Sequence, residues 1–447
     1  MSVQYGGVQT AVGGVTTPRV IAAGICADLR SGEMLDSSFE RRTQELEARD
    51  RRWLRELIYG MLRQRGAIDA ILDERVRGGL SRVDADLVDL MRLGVYQLLH
   101  MGSVPAYAAI AQTVELAKVR HGIGASKLMN AVLRRIDRES SDLSVPLPPD
   151  PLEALAVRYS HPRWLVARWL SRWGEETTAI LLMKNNAEAP MVIRPYGIVR
   201  EQLEAMLEAS GVDVGDAPLA RDSIQIGGGI GLTDLGAFKQ GLFFVQDPGS
   251  TLVTQYASIP QDAVVADLCA APGGKALELS RTARIVLAAD RSPQRLVRLL
   301  ENCARLEANN VYVVAGDARL PVVWNVDAVL IDVPCTGTGT FRRHPDARWR
   351  LKVSDLSVMA ALQAGILRAA AAVVKPGGLL IYSTCSLEAE ENERQVEDFL
   401  ARNAEFTLDP PPAGAVPPDT IDGGYLRVLP QVHGSDGAFA ARLRRSH

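Results

Sequence analysis

Asp267-Leu268-Cys269-Ala270-Ala271-Pro272-Gly273-Gly274-Lys275 is the stretch on which the reading of the chain turns. The apolar run Ala263-Val264-Val265-Ala266 precedes it and a helix-like segment, Ala276 to Arg281, follows. A buried strand, a turn with adjacent glycines and a helix N-terminus make a small-ligand platform in open α/β sheets. The glycines let a ligand approach backbone where a side chain would clash, and Pro272 fixes one dihedral of the turn. Lys275 is badly placed for the helix itself, because a cation in the first turn opposes the helix dipole. It therefore points to a ligand or a catalytic carboxylate opposite it. The plainer alternative is a glycine turn with a solvated lysine.

Downstream, strands and helices alternate. Apolar runs recur at Arg284 to Asp290, Val311 to Ala315, Val326 to Asp332 and Leu379 to Thr384. Each is continuous rather than alternating, as expected of parallel strands covered on both faces. The gaps leave room for crossover helices, so residues 236–447 read as a doubly wound, Rossmann-like α/β domain with its site at the carboxyl ends of the strands. Polar residues gather at those ends: Asp290, Gly316-Asp317-Ala318, Asp332 and Thr384-Cys385-Ser386. One acidic strand end often caps the next helix, but three after a glycine turn suit a nucleoside-type ligand, with Asp290 placed to accept from a ribose diol. No GxGxxG or GxxxxGK phosphate binder occurs. The expected ligand is S-adenosylmethionine rather than NAD or ATP.

The upstream half is different. From Pro18 to about Ser140 apolar residues recur at helical spacing, as in Leu87, Leu90, Met91, Gly94 and Leu98, or Leu128, Val132 and Ile136. Breaks fall at Gly78-Gly79, Gly102 to Pro105 and His121 to Gly124, which makes a helical bundle over 18–140. Its arginines, among them Arg51, Arg52, Arg55, Arg63, Arg65, Arg134 and Arg135, read either as solvated helix faces or as a surface for RNA or protein. Four prolines within 141–151 mark a linker. Residues 152–235 read as a small α+β domain, whose tryptophans Trp164, Trp169 and Trp173 fit a core at helical spacing better than a base-stacking platform. Residues 1–17, uncharged and lacking a basic start or long apolar centre, read as a disordered tail rather than a signal peptide.

Composition limits the remaining classes. The chain has 447 residues, 47% of them apolar, and a net charge of −3. No apolar run is expected to be long enough to span a bilayer. Five widely spaced cysteines without a CxxC pair argue against a zinc site or a disulfide framework, and for a reducing, cytoplasmic setting. Any contact with nucleic acid then depends on local patches. One lies after the fourth strand, where Arg342, Arg343, His344, Arg348, Arg350 and Lys352 crowd together; we expect the first four to hold phosphates beside an extruded base.

Cys335 and Cys385 stand at neighbouring strand ends, beside the expected methyl donor. Carbon 5 of a pyrimidine is too weak a nucleophile to take a methyl group unaided. A thiolate adding to carbon 6 converts the ring to an enamine, whose carbon 5 can attack. A base must then take the proton from carbon 5 so that the thiol can leave. The chemistry alone does not rank the two cysteines.

These motifs carry a resemblance. Residues 267–275, Asp332-Val333-Pro334-Cys335-Thr336-Gly337-Thr338-Gly339, Lys375-Pro376-Gly377-Gly378 and Tyr382-Ser383-Thr384-Cys385-Ser386 resemble RNA cytosine-5 methyltransferases, as does Glu390-Glu391-Asn392-Glu393. Arg92-Leu93-Gly94-Val95-Tyr96-Gln97-Leu98-Leu99 and Asn130-Ala131-Val132-Leu133-Arg134-Arg135-Ile136 resemble the NusB RNA-binding fold. Together they resemble the bacterial 16S rRNA (cytosine-5)-methyltransferases of the RsmB (Sun/Fmu) family, over nearly everything from Pro18 onward. The resemblance implies a monomer, without metal or membrane, that acts on 16S rRNA. It implies that Cys269, Ala270, Ala271, Pro272, Gly273, Gly274 and Lys275 hold the methionine part of the donor, Asp290 the ribose and Asp317 the adenine. Cys385 would be the nucleophile and Cys335 the helper in product release. Asp332 would lie between donor and base, with Lys275 completing the catalytic set.

Two departures stand out. An expected Arg-x-Asn reads Arg194-Pro195-Tyr196, which bears on RNA contacts of the small domain. An expected Asp-Gly-Phe-Phe reads Asp436-Gly437-Ala438-Phe439, which bears on packing near the site. Two rivals keep a place: a cytosine methyltransferase acting on tRNA or large-subunit rRNA, and a non-catalytic RNA-binding assembly factor on the same fold.

Overall fold

The structure, a computed structural model, describes residues 14–227 and 231–447. Most of the expected N-terminal tail, residues 1–13, lies outside the described residues, as do residues 228–230 of the glycine cluster that was to close the small domain. The end of that tail corrects the expectation. Val15 is fully buried and a helix begins at Thr17, because an apolar side chain and a helix start both find partners in the bundle.

The chain divides into two units, one running to Ala187 and including Phe341–Arg350, the other holding 188–340 and 351–447. In the first, the helices Thr17–Arg30, Ala48–Arg63, Ala85–His100 and Ala106–Glu139 share one core, in which Ile25, Leu54, Ile58, Met91, Val95 and Leu133 are buried. Two of the helices approach closely at Gly60, where a Cβ atom would stand 1.8 Å from the Tyr96 hydroxyl oxygen. Helix Ala106–Glu139 is broken at Gly122, inside the expected break, with φ of 83°. Helices Pro151–Arg158 and Arg163–Asn186 group with this unit rather than with the small sheet. The boundary between the two units thus falls after Ala187, within the expected small domain of residues 152–235. Of the three tryptophans only Trp169 is fully buried, against His161 and Phe341; Trp164 and Trp173 are half-buried.

The second unit opens with a four-stranded antiparallel sheet. Its strands are β1 (Met191–Pro195), β2 (Val214–Asp216), β3 (Ile224–Ile226) and β4 (Phe243–Val245), in the order β2-β3-β1-β4. Arg194 is not at the surface: it is 3% exposed and pairs at 2.8 Å with Glu278 of the helix Gly274–Leu279. Tyr196 donates or accepts at 3.0 Å with Ser280. The departure at 194–196 thus joins the small sheet to the helix behind the glycine turn.

The larger sheet then follows. Its parallel strands are β5 (Val264–Asp267), β6 (Ile285–Asp290), β7 (Val311–Ala315), β8 (Val326–Asp332) and β9 (Val374–Thr384). The antiparallel additions are β10 (Phe406–Leu408), β11 (Ile421–Asp422), β12 (Tyr425–Val428) and β13 (Ala438–Arg445). The order is β11-β12-β13-β9-β8-β5-β6-β7, with β10 also on β13. The continuous apolar runs now have their explanation. Successive residues alternate between two cores: Val265, Ala328, Leu330 and Ile381 face one, while Ala266, Val329, Ile331, Leu380 and Tyr382 face the other. Each large aliphatic side chain so buried contributes roughly 1.5–3 kcal/mol. The order reverses direction at β5 and β8, so a crevice opens at their carboxyl ends.

The helix Val353–Val373 corrects a second expectation. By length and hydropathy alone it is apolar enough to cross a bilayer. Here it packs on β8 and β9 and buries Ile366, Leu367, Ala370 and Ala371 against the sheet.

Candidate active site

The register of the parallel strands places Asp290 and Asp332 two residues beyond Asp267, on the strands to either side of it. Asp267 pairs with Ala288 and Leu330, and Asp332 with Ser383. The glycine turn sits above them. Gly273 has φ of 115°, and a Cβ there would lie 2.5 Å from Leu299 Cδ1, so the turn requires glycine twice over. Asp290 is 6% exposed; its carboxylate accepts from the backbone N–H groups of Ala271 at 3.2 Å and Ser292 at 2.9 Å, which ties the turn to the end of β6. Asp317 lies half-buried at the next strand end. Its pKa is held down at about 2 by the Arg319 guanidinium and the Arg319 backbone N–H.

Lys275 faces a carboxylate, as its awkward position in the helix suggested. Its Nζ donates to Asp332 Oδ2 at 2.7 Å, and Ser383 Oγ donates to Asp332 Oδ1 at 2.8 Å. Burial works against the charged amine, yet the neighbouring Asp332 carboxylate more than offsets it and raises the pKa above the ordinary lysine value. Asp267, missed in the sequence, lies beside this pair. It is 1% exposed, and burial followed by the Asp332 charge pushes its pKa up to about 7. One carboxyl oxygen, Oδ1, accepts from the Cys269 N–H at 3.3 Å; the other is buried without a hydrogen-bond partner.

The two cysteines come together. Cys335 Sγ and Cys385 Sγ lie 3.2 Å apart, at the ends of β8 and β9. The Cys335 thiol is pushed well above its ordinary pKa, first by its hydrogen bond with Cys385 and then by burial. Burial also pushes up the thiols of Cys26, Cys269 and Cys303. The loops behind the reactive pair are closely fitted: Gly339 and Gly437 touch backbone to backbone, and a Cβ on Gly437 would lie 2.8 Å from Gly339 Cα. The departure at Ala438 falls one residue beyond this contact, on a buried position of β13. Among the described residues no group of three His, Cys, Asp or Glu side chains could hold a metal ion.

The basic run after β8 is placed otherwise than expected. Phe341–Arg350 packs within the helical unit, where Trp349 Nε1 donates to the Leu62 carbonyl at 2.9 Å. Arg348 is fully buried, donating to Asn186 Oδ1 at 2.6 Å and to the Asn185 carbonyl at 2.8 Å. Burial, with Arg63 nearby, lowers its pKa to about 9. Arg342 is 6% exposed. Neither can reach a phosphate without unpacking the unit, so both are withdrawn from the expected RNA contacts. Arg343 keeps partial exposure; His344 is exposed and pairs with Asp36 at 2.9 Å.

Family models match in three places: "16S rRNA methyltransferase RsmB/F" over residues 256–444, "NusB family" over 16–138, and the "Methyltr_RsmF/B-like, ferredoxin-like domain" over 161–233. A probable ribosomal RNA small subunit methyltransferase B of Synechocystis is 32% identical over 93% of this chain and 96% of its own length. A ribosomal RNA small subunit methyltransferase B of Vibrio cholerae is 34% identical over 93% of this chain and 94% of its own length. The crystal structure of PH0851 superposes with a TM-score of 0.80 at 28% identity, covering 96% of this chain and 99% of that one.

Proposed function

The chain belongs to the RsmB family of ribosomal RNA small subunit methyltransferases, and from that premise we propose that it methylates carbon 5 of a cytosine in 16S rRNA through a covalent bond from Cys385 to carbon 6. One observation carries the proposal: two thiols 3.2 Å apart stand at neighbouring strand ends, beside a half-buried Lys275–Asp332 pair.

The family depends on S-adenosylmethionine, which supplies an electrophilic methyl group when bound. The residues present fit it. A buried, unpartnered Asp267 oxygen suits a cationic amino-acid group. Residues 269–275 would hold the methionine part, Asp290 the ribose and Asp317 the adenine.

The chain's own groups then divide the work. Cys385 adds to carbon 6 as thiolate, and the ring's electron pair moves to carbon 5. Asp332 has hydrogen-bonding capacity beyond its two recorded donors, since a carboxylate offers about four acceptor sites. It can therefore also bond the cytosine edge and favour the protonated ring. After carbon 5 is methylated, Cys335, as thiolate, takes the proton there, the carbon 5–carbon 6 double bond re-forms, and Cys385 leaves as thiolate. Of the basic residues after β8, Arg343 and His344 are those that would meet RNA phosphates.

The test is nucleoside analysis of 16S rRNA after incubation with the enzyme and isotopically labelled donor. The reading requires label in 5-methylcytosine; label in any other nucleoside overturns it.

A further inference from the structure

Glu391 is fully buried, and its carboxylate has no place in the chemistry just described. Its Oε1 accepts from the Thr336 backbone N–H at 2.9 Å and from Gln363 Nε2 at 2.9 Å. Its Oε2 accepts from the hydroxyls of Thr336 and Ser386. All four donors are uncharged, so they alone offset the cost of burying a carboxylate. Thr336 directly follows Cys335, and Ser386 directly follows Cys385. The same network reaches the residue before Cys335, because Gln363 Nε2 also donates to the Pro334 carbonyl at 2.9 Å. Asn392 closes the other loop, donating to the Ser386 carbonyl at 2.8 Å and accepting from Thr384 Oγ1 at 2.5 Å. Tyr382 of β9 anchors the segment itself, donating to the Glu391 carbonyl at 2.5 Å.

We propose that Glu391 is a positioning residue: its carboxylate fastens the turn after Cys335 to the turn after Cys385 and so sets the distance between the two thiols. The inference rests on the two-cysteine reading for its catalytic consequence, though not for the geometry. A carboxylate is suited to the place because it accepts from both turns at once, which no neutral side chain of that size does with four donors.

The experiment uses the full-length protein and two independent readouts. The first is the rate at which a diazene oxidant, diamide, joins Cys335 to Cys385. The two thiols together lose two protons and two electrons, the diazene gains both and becomes a hydrazine, and peptide mapping counts the bond. The second is the rate of forming a denaturation-resistant adduct with RNA carrying 5-fluorocytosine. In Glu391→Gln both rates should fall at least tenfold, while calorimetry finds the affinity for S-adenosylmethionine within twofold of wild type. Ser386→Ala, which removes one of the four donors and leaves the charge, should lower both rates by a smaller factor. It also serves if Glu391→Gln does not fold. Wild-type cross-linking rates in the variants overturn the proposal. Slower cross-linking with no adduct from the wild type itself would leave Glu391 as the fastener and remove the covalent mechanism instead.

Discussion

At Asp267, burial and charge pull in the same direction. Burial at the carboxyl end of the interior strand β5, beside the Asp332 charge, pushes this carboxyl up to about 7 from the usual range near 4. Lys275 and Asp290 are the other charged groups acting on it, the first lowering and the second raising its pKa. The sign follows directly. Between pH 4 and 7 the native state binds a proton that the unfolded chain has released, so this group makes the donor-free protein less stable as pH rises. Asp267→Asn removes that term. Urea midpoints of the donor-free protein should therefore fall less between pH 5 and 8 in the variant, by an amount on the order of 2–4 kcal/mol. Identical pH dependence in both proteins would mean Asp267 stays ionised. The same substitution should weaken donor binding, since the orphaned oxygen is then an amide. Calorimetry with S-adenosylmethionine checks that independently.

The element that matters most is the turn between β5 and its helix. Gly273→Ala meets a left-handed φ and the side chain of Leu299 together. It should cost about 1–3 kcal/mol of folding stability and roughly tenfold or more in donor affinity, read by thermal melts with and without donor. A variant melting and binding like wild type would show that the turn tolerates a different path. This turn, the five parallel strands and the acidic strand ends were legible because each leaves a local mark: a glycine pair, an unbroken apolar run, a polar residue where the run stops. The antiparallel strands β10 to β13 left no such mark. β10, β11 and β12 are short, and the pairing of β13 with β9 depends on residues more than 50 positions apart in the chain, as in Ala440 opposite Ser383. Asp267 and Glu391 were hidden for a related reason. A carboxylate at a strand end or in a charged motif looks solvated until the partners that enclose it are known.

On the scale of the whole molecule, charge in the sequence was a poor guide to charge at the surface. Arg55 and Arg65 lie over the rings of Tyr59 and Trp349, Arg135 pairs with Glu139, and Arg348 serves as an internal hydrogen-bond hub. Arg348→Ala should therefore cost about 2–4 kcal/mol in folding stability, by stranding the buried carbonyls and amides it now satisfies. Arg343→Ala should leave stability near wild type and reduce the salt dependence of RNA binding by about one unit of slope. Filter binding at several salt concentrations, alongside denaturant melts, separates the two outcomes; reversed roles would return Arg348 to the RNA. The central claim, that one thiol attacks and the other releases, has a more direct test. Each cysteine variant is incubated with 16S rRNA substrate and S-adenosylmethionine, and the mixture is run on a denaturing gel. Cys335→Ala should accumulate a slow protein–RNA band, because the bond from Cys385 forms and is not released, while Cys385→Ala should show neither band nor methylated product. A stable band from Cys385→Ala, with none from Cys335→Ala, would contradict the account and make Cys335 the nucleophile.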